Sequence, residues 1–585
     1  ANITVGSALS VAGPVTVYGG IITLNGNLTS SATGDIFLKA ISSANGCFAN
    51  NATITKSGGT GTLTMQGHAR VTNTGTITTS GSGVLNVVFW SDFDNTNNDG
   101  GVSNLGSIST NGGHVWMGGS NSNGGSYTWN GLTVGDGPSI GCAGYNNYAL
   151  DFFGPVTTNG GDILVWAGNS SVATSGIVTN AGHIVNVGTG DIVLITPYLL
   201  GDGPSLFFKQ SGGTFTLVPN GGSFPATFNW DGYTNAIGGV YGTGWNFGGN
   251  FNYLWIEDPS TLKSLTIGRY DGMLNNGTPV VMTNSSGVTF ANTTATSING
   301  PISVYGGDIL IQQNLTSSAS GADILFDASG YIELSASRTV QTNGGDITFR
   351  SNSGGTAVVT PTSTTGAITL NTSSSLLSNG GNITLGGNYT GTQGAGLYAA
   401  SNRSGGSPGI LISNATLNAA GGDIKVYGRC VSSYDDGIRL QANMSTTGNG
   451  TIGLFGDAHG GFNASAVYFG GITFATAAST NETVAGDITL EGILTNTQSN
   501  STYAVNFYRS SYTSGSQTNH IQLLSRSGNI QITGDRGATA AGGMGQSSWG
   551  NVYVGSPSSG SWTATGDVRF TYSSFAGANQ TGIRV

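Results

Sequence analysis

The feature that most constrains this chain is a short launching motif repeated along its length, in which small turn residues and an Asp or Asn precede an apolar-x-apolar triplet. It reads TTNGGDILVWAG at 157–168, TVQTNGGDITFRSN at 339–352, LSNGGNITLGG at 377–387, LNAAGGDIKVYG at 417–428 and VAGDITLEG at 484–492, with shorter echoes beginning at Thr33, Thr189, Ser527 and Thr565. Strict apolar/polar alternation follows each launch, the signature of a short strand with one buried face. No long stretch carries helical periodicity with caps, so the chain reads as all-β. The launches recur at irregular intervals of roughly 15 to 45 residues, which fits one to two turns of a β-solenoid with loops of variable length. Glycine suits a corner that needs positive φ, and the Asp or Asn that follows can accept hydrogen bonds from turn amides. Stacked coils would pair strand on strand around a thin apolar column, with Ser, Thr and Asn outside.

Composition agrees and removes other classes. Glycine is plentiful at 100 of 585 residues, but it has no every-third-residue period and Pro is only 13, which excludes collagen. Charged residues make up 8% of the chain and the net charge is -10, without a Lys/Arg cluster, so nucleic acid is not an expected partner. No apolar run is long enough to span a membrane as a helix. Cys47, Cys142 and Cys430 are too scattered for a disulfide framework or a zinc site, and no cofactor is expected. The poverty in Cys and Lys suits an exported surface protein. The first residues already alternate as a strand, without a signal peptide, so the chain reads as part of a longer precursor.

A larger repeat overlies the motif. GPVTVYGGIITLNGNLTSSATGDIFLKA at 13–40 returns as GPISVYGGDILIQQNLTSSASGADILFDA at 300–328, which divides the protein into two tandem solenoid units, 1–264 and 265–585. An aromatic-rich stretch at 228–258 closes the first. This grammar of Gly-Pro, Val-Tyr-Gly-Gly, Asn-Leu-Thr-Ser-Ser and Gly-Asp-Ile resembles very large bacterial surface proteins of the filamentous haemagglutinin type. The resemblance implies a right-handed parallel β-helix, secretion, and an adhesive or matrix-forming role.

Asp435 beside Asp436, with His459 further on, could supply the paired carboxylates of a polysaccharide-degrading enzyme. A partner Asp one coil earlier is missing, and we read the pair as a solvated loop. Asp92, Asp94 and Asp99 could hold calcium but lack the EF-hand order, and an exposed polar loop is the simpler reading. The five histidines, His68, His114, His183, His459 and His520, are isolated in sequence. Asn-x-Ser/Thr sequons, among them Asn27, Asn169, Asn314, Asn382, Asn414 and Asn481, only modestly exceed chance. Thr-x-Thr pairs suggest a threonine ladder for ice, but the pattern dissolves after residue 79. The best recognition surface is the aromatic stretch, where Trp230, Tyr233, Tyr241, Trp245, Phe247, Phe251, Tyr253 and Trp255 are interleaved with Gly and Asn. Such rings can stack on sugars or plug the end of a core.

The expectation is a non-enzymatic extracellular fibre segment for cell-cell or surface adhesion or matrix formation. Its partners would be copies of itself, head-to-tail or as tandem repeats, and surface carbohydrate. The rival class is a β-helical polysaccharide hydrolase or lyase, which would need carboxylates converging in a groove.

Overall fold

The computed structural model describes residues 1–42, 48–95, 100–141, 149–168, 177–180, 183–197, 199–202, 206–224, 227–233, 244–247, 254–256, 258–291, 295–357, 360, 365–389, 397–402, 407–431, 435–458, 465–470, 473–475, 486–494, 503–508, 521–524, 528–536, 552–554, 556–558, 561–563 and 568–573. Within these the protein is all-β apart from one 3₁₀ turn at Pro259–Thr261, and long parallel sheets dominate. Internal contacts divide it into two units, Ala1–Ser286 and Gly287–Val585.

In the first unit the chain visits three parallel ladders in turn. The first ladder is an eight-stranded sheet that starts with Ile3–Val5, Ile22–Leu24, Phe48–Asn50 and Val71–Asn73. The second, nine-stranded, starts with Leu9–Val11, Leu28–Ser30, Thr53–Lys56 and Thr76–Thr79. The third runs Val15–Gly19, Ile36–Ala40, Thr60–Gly67, Val84–Trp90, Val115–Gly118, Ile163–Trp166, Ile192–Ile195, Thr214–Val218 and Ser264–Ile267. Alternation explains the register. On the third ladder Val15, Ile36, Leu63, Val87, Val115, Ile163, Ile192, Phe215 and Leu265 are successive partners, and all are buried. A one-residue slip would turn the whole row to the outside, and each such side chain contributes about 1.5–3 kcal/mol of burial.

The second unit repeats the scheme. Its third ladder carries an isoleucine row, Ile302, Ile324, Ile347, Ile383, Ile424, Ile452, Ile488 and Ile530, all buried, from consecutive partner strands. Phe290, Phe326 and Phe349 stack edge to face beside it at 6.1 and 5.1 Å. The long strands Ile410–Asn418 and Ile438–Ser445 each serve both the first and second ladders.

The launching motif gives each of its positions a separate task, clearest at Ser378-Asn379-Gly380-Gly381-Asn382. Asn379 takes a left-handed φ of 54° and its amide nitrogen donates to the Thr342 carbonyl one strand back, at 2.6 Å. Gly380 continues the turn at φ 124°, where a side chain would be strained. Gly381 is needed for another reason: a Cβ there would lie 2.1 Å from the carbonyl oxygen of Gly345, its counterpart in the preceding motif. The same closeness recurs at Gly345 against Ala322, Gly422 against Gly381, and Gly161 against Gly113. The Ser or Thr that opens the motif turns inward: Thr110 and Thr342 each donate a hydroxyl to the carbonyl of the second glycine of their own motif, at 2.6 Å. At one equivalent inner corner a buried lysine does this work, the Lys56 ammonium donating to Ser30 Oγ at 3.0 Å, to Gly34 O at 2.9 Å and to Ala32 O.

The last position of the motif builds a ladder of its own. Asp323 Oδ1 accepts the Asp346 N–H at 2.7 Å, Asp346 that of Asn382 at 2.7 Å, Asn382 that of Asp423 at 2.9 Å, and Asp423 that of Thr451 at 2.9 Å. In the first unit Asn86, His114, Asp162 and Asp191 pass the bond to His114, Asp162, Asp191 and Thr214. The bonded residues are 23 to 48 apart in sequence, so the irregular spacing of the launches hides a constant spatial register. A second, fully buried chain of amides links Asn50 to Asn73 and Asn73 to Asn104, both at 2.8 Å.

Two features differ from the sequence reading. Several strands of the first unit's third ladder are apolar on both faces (VLNVVFW, VWMG, ILVW, IVLI) and are buried on both. Their outer face is covered by a four-stranded antiparallel sheet of Leu132–Gly135, Ser126–Trp129, Arg269–Asn275 and Thr278–Thr283. Trp90, Trp116, Trp129, Trp166 and Met273 form a second core between them. The contact boundary at 286/287 also lies beyond the 264/265 division drawn from the repeat. Ser264–Ile267 continues the third ladder, and the hairpin after it completes the covering sheet.

If the second glycine is fixed by this close approach, Gly381→Ala should lower stability by about 1–3 kcal/mol or more. Gly13→Ala, where a Cβ meets nothing within 4 Å, should fall within about 0.5 kcal/mol of wild type. Urea unfolding of both variants followed by circular dichroism checks the contrast.

Candidate functional site

Among the described residues, the densest gathering of charge lies where the second unit's third ladder turns toward its first. Arg429 and Asp457 are directly paired in the register of the strands Ile424–Cys430 and Ile452–Ala458, and their side chains form a buried ion pair at 3.4 Å. Asp435 and Asp436 lie just before the next strand, Ile438–Ser445. The Asp436 amide caps Asp435 Oδ1 at 2.8 Å, and Arg439 holds both carboxylates, Nη2 to Asp435 at 2.5 Å and Nε to Asp436 at 2.8 Å. Gly437 packs its backbone against that of Asp457, so a Cβ there would come within 2.7 Å of the Asp457 N and O. The two ion groups are therefore neighbours.

This corrects the reading of Asp435 and Asp436 as a solvated loop: both are almost fully buried, 4% and 2% exposed. A carboxylate keeps its charge in such a place only with a partner, and Arg439, three and four residues on, supplies it. Burial still pushes the Asp435 carboxyl above its ordinary value, against the opposing pull of Arg439 and the Asp436 amide. His459 lies outside the described residues.

Aromatic rings surround these ions. The Arg429 guanidinium lies over Tyr389 at 5.1 Å and that of Arg439 over Tyr468 at 5.9 Å. Two residues before the ion pair, Tyr427 and Phe455 are register partners on the outward face, with rings stacked at 4.7 Å, and Tyr398 meets Tyr427 edge-on at 6.1 Å.

In the first unit, Asp94 is held by His68 Nε2 at 2.8 Å, and the Lys39 ammonium sits 3.8 Å over the Phe93 ring. Desolvation lowers the Lys39 pKa, an effect that Asp94 opposes. Asp92 is buried rather than set in an exposed polar loop, and Asp99 lies outside the described residues. No group of three or more His, Cys, Asp or Glu among the described residues could hold a metal. Arg70 and the Ser103 hydroxyl bind Asp151 at 3.3 and 3.1 Å, yet burial leaves its pKa raised. His114 is itself a rung of the side-chain ladder: its Nδ1 accepts the Asp162 N–H at 3.0 Å. Asn130, on the covering sheet, donates to the Asp162 carboxylate at 2.6 Å.

Of the aromatic stretch, Trp230 is wholly buried. Its strand, Phe228–Tyr233, forms an antiparallel hairpin with Gly244–Phe247 that carries Tyr233, Trp245 and Phe247, and Trp255 lies on Leu254–Ile256 in the second ladder. Tyr241, Phe251 and Tyr253 lie outside the described residues, as do Cys47, Cys142, His520, Asn169 and Asn481. Cys430 is buried. The sequon pattern has a structural origin. Asn27, Asn314 and Asn382 are ladder acceptors for Thr53, Thr339 and Asp423, and alternation then places an outward Thr two residues later. The Thr-x-Thr rows end at Thr76–Thr79: Ile77 pairs with Ile108, which sets Ser107 and Ser109 beside Thr76 and Thr78.

The chain matches no protein-family model, no curated protein and no solved structure.

The ladder predicts a definite acid response. Burial alone would raise the Asp423 pKa, but the Thr451 amide and hydroxyl together with Lys425 outweigh it and the net shift is downward from 3.8. A group depressed on folding stabilises the fold above its unfolded pKa and loses that contribution as pH falls through the folded value. Asp423→Asn should therefore leave stability at neutral pH nearly unchanged, because an amide oxygen serves the same bond at Asn382, and should flatten the loss below about pH 4. Asp423→Ala should cost about 1 kcal/mol at neutral pH. Denaturation curves between pH 3 and 7 read both.

Proposed function

We propose that this chain is a non-enzymatic structural protein of the cell exterior, in which each unit is a right-handed parallel β-helix and the whole is a segment of a long β-solenoid fibre for adhesion, cohesion or matrix formation. The observation that carries this reading is the side-chain ladder. The motif's carboxylates and amides accept backbone N–H groups of the next strand and so serve cohesion along the stack. A scaffold held by repeated neighbour-to-neighbour bonds can be lengthened by adding units, because each contacts only the next. The sequence repeat between 13–40 and 300–328 is an extension of that kind, and it supports tandem or head-to-tail growth with copies of the same unit as partners.

The enzymatic reading is carried by one observation, the convergence of Asp435, Asp436 and Asp457 at one corner. Against it, the Asp435 and Asp436 carboxylates are both bonded to Arg439. Electron microscopy of the native material should show filaments whose axial repeat is about 4.8 Å, the spacing of neighbouring strands. Dispersed globular particles would sink the fibre reading. Release of reducing ends from polysaccharide, lost in Asp435→Asn/Asp436→Asn while the fold is retained, would replace it with the enzymatic one.

A further inference from the structure

We infer that the aromatic-lined ionic corner of the second unit is a binding site for a neutral polysaccharide. The inference deepens the adhesive reading above, on which it rests, by naming what the fibre would hold. It also moves the recognition surface away from the 228–258 stretch, whose Trp230 is spent in the core.

Three properties of the corner point to this ligand class. The first is ring surface: Tyr427 and Phe455 are partly buried with their remaining surface on the outward face, Tyr389 and Tyr468 are partly buried beside the two arginines, and Leu397 nearby is 54% exposed. Apolar rings at a wet surface suit the C–H faces of pyranose units, because each partner offers an apolar face bordered by polar groups. The second is fixed planar polarity. Arg439, whose side chain is 38% exposed, is locked by two carboxylates, so its guanidinium plane is held in place for sugar hydroxyls without further loss of side-chain freedom. The third is charge. Asp435, Asp436 and Asp457 face Arg429 and Arg439, and Glu491 is the register partner of Phe455, so the corner offers no positive excess to a polyanion. A neutral chain is favoured over an acidic one.

The site can be tested without disturbing the core. Tyr427 and Phe455 project outward from strands whose buried residues are Ile424, Val426, Ile452 and Leu454. Calorimetric titration of the full chain with a soluble β-glucan and a galactomannan, alongside polygalacturonate, should show binding to a neutral polymer that survives raised salt. Tyr427→Ala/Phe455→Ala should weaken that binding by about tenfold or more with the unfolding midpoint retained. Tyr18→Ala, which removes a ring 59% exposed on the first unit, should leave it unchanged. Absence of binding to both neutral polymers, a preference for polygalacturonate, or equal binding by the double variant would overturn the site. Filaments without polysaccharide binding would overturn this inference and leave the fibre reading standing, whereas binding without filaments would do the reverse. Cleavage of the bound polymer would uphold the site and overturn the non-enzymatic reading.

Discussion

Among the described residues, the strands of the three ladders satisfy their backbones by pairing with the strand one circuit earlier and the strand one circuit later, and the corner chemistry follows from keeping that stack in register. Parallel pairing fixes the spacing along the stack, so the corner backbones must approach as closely as the strands do. At Gly345, Gly381 and Gly422 the approach leaves no room for a Cβ. The same closeness brings each motif's Asp or Asn within reach of the next amide, which turns a steric demand into a hydrogen bond. Ion pairs are peripheral to this cohesion, and a chain only 8% charged can dispense with most of them.

Fixed register pushes variation outward. The circuit between Asp323 and Asp346 spans 23 residues, whereas that between His114 and Asp162 spans 48 and contains the Ser126–Trp129 and Leu132–Gly135 hairpin, yet both end on the same kind of bond. The inserted hairpin supplies half of the sheet that buries the outer faces of Trp90, Trp116 and Trp166. In the second unit the residues just before Ile438–Ser445 supply instead a group of buried charges, which interior burial permits only because each carboxylate meets a guanidinium. The stack is thus conserved in geometry along its length, and chemical individuality resides at the turns that leave the third ladder.

The motif, the alternation and the absence of helical periodicity sufficed to read an all-β chain of short stacked strands, because those signals are local: a two-residue period and a turn sequence. Two further signals are just as local. A run such as VLNVVFW is apolar at successive positions and so demands cover on both faces, and Asp-Asp-Gly-Ile-Arg sets an arginine within reach of two carboxylates. What local pattern could not give was partnership. Nothing in the sequence near Asp162 states that its amide will meet His114 or that its carboxylate will meet Asn130, since those contacts join residues brought together by the circuit and by a hairpin inserted in it. Nor could it tell that Arg429 faces Asp457 rather than solvent, which is decided by the register of two strands and by Gly437 packed against Asp457. The sequence by itself determined the strand, the corner and the repeating acceptor, since each depends on a few adjacent residues. Tertiary structure alone decided which carboxylates are rungs of the ladder and which are buried ion pairs, because that depends on what lies one circuit away.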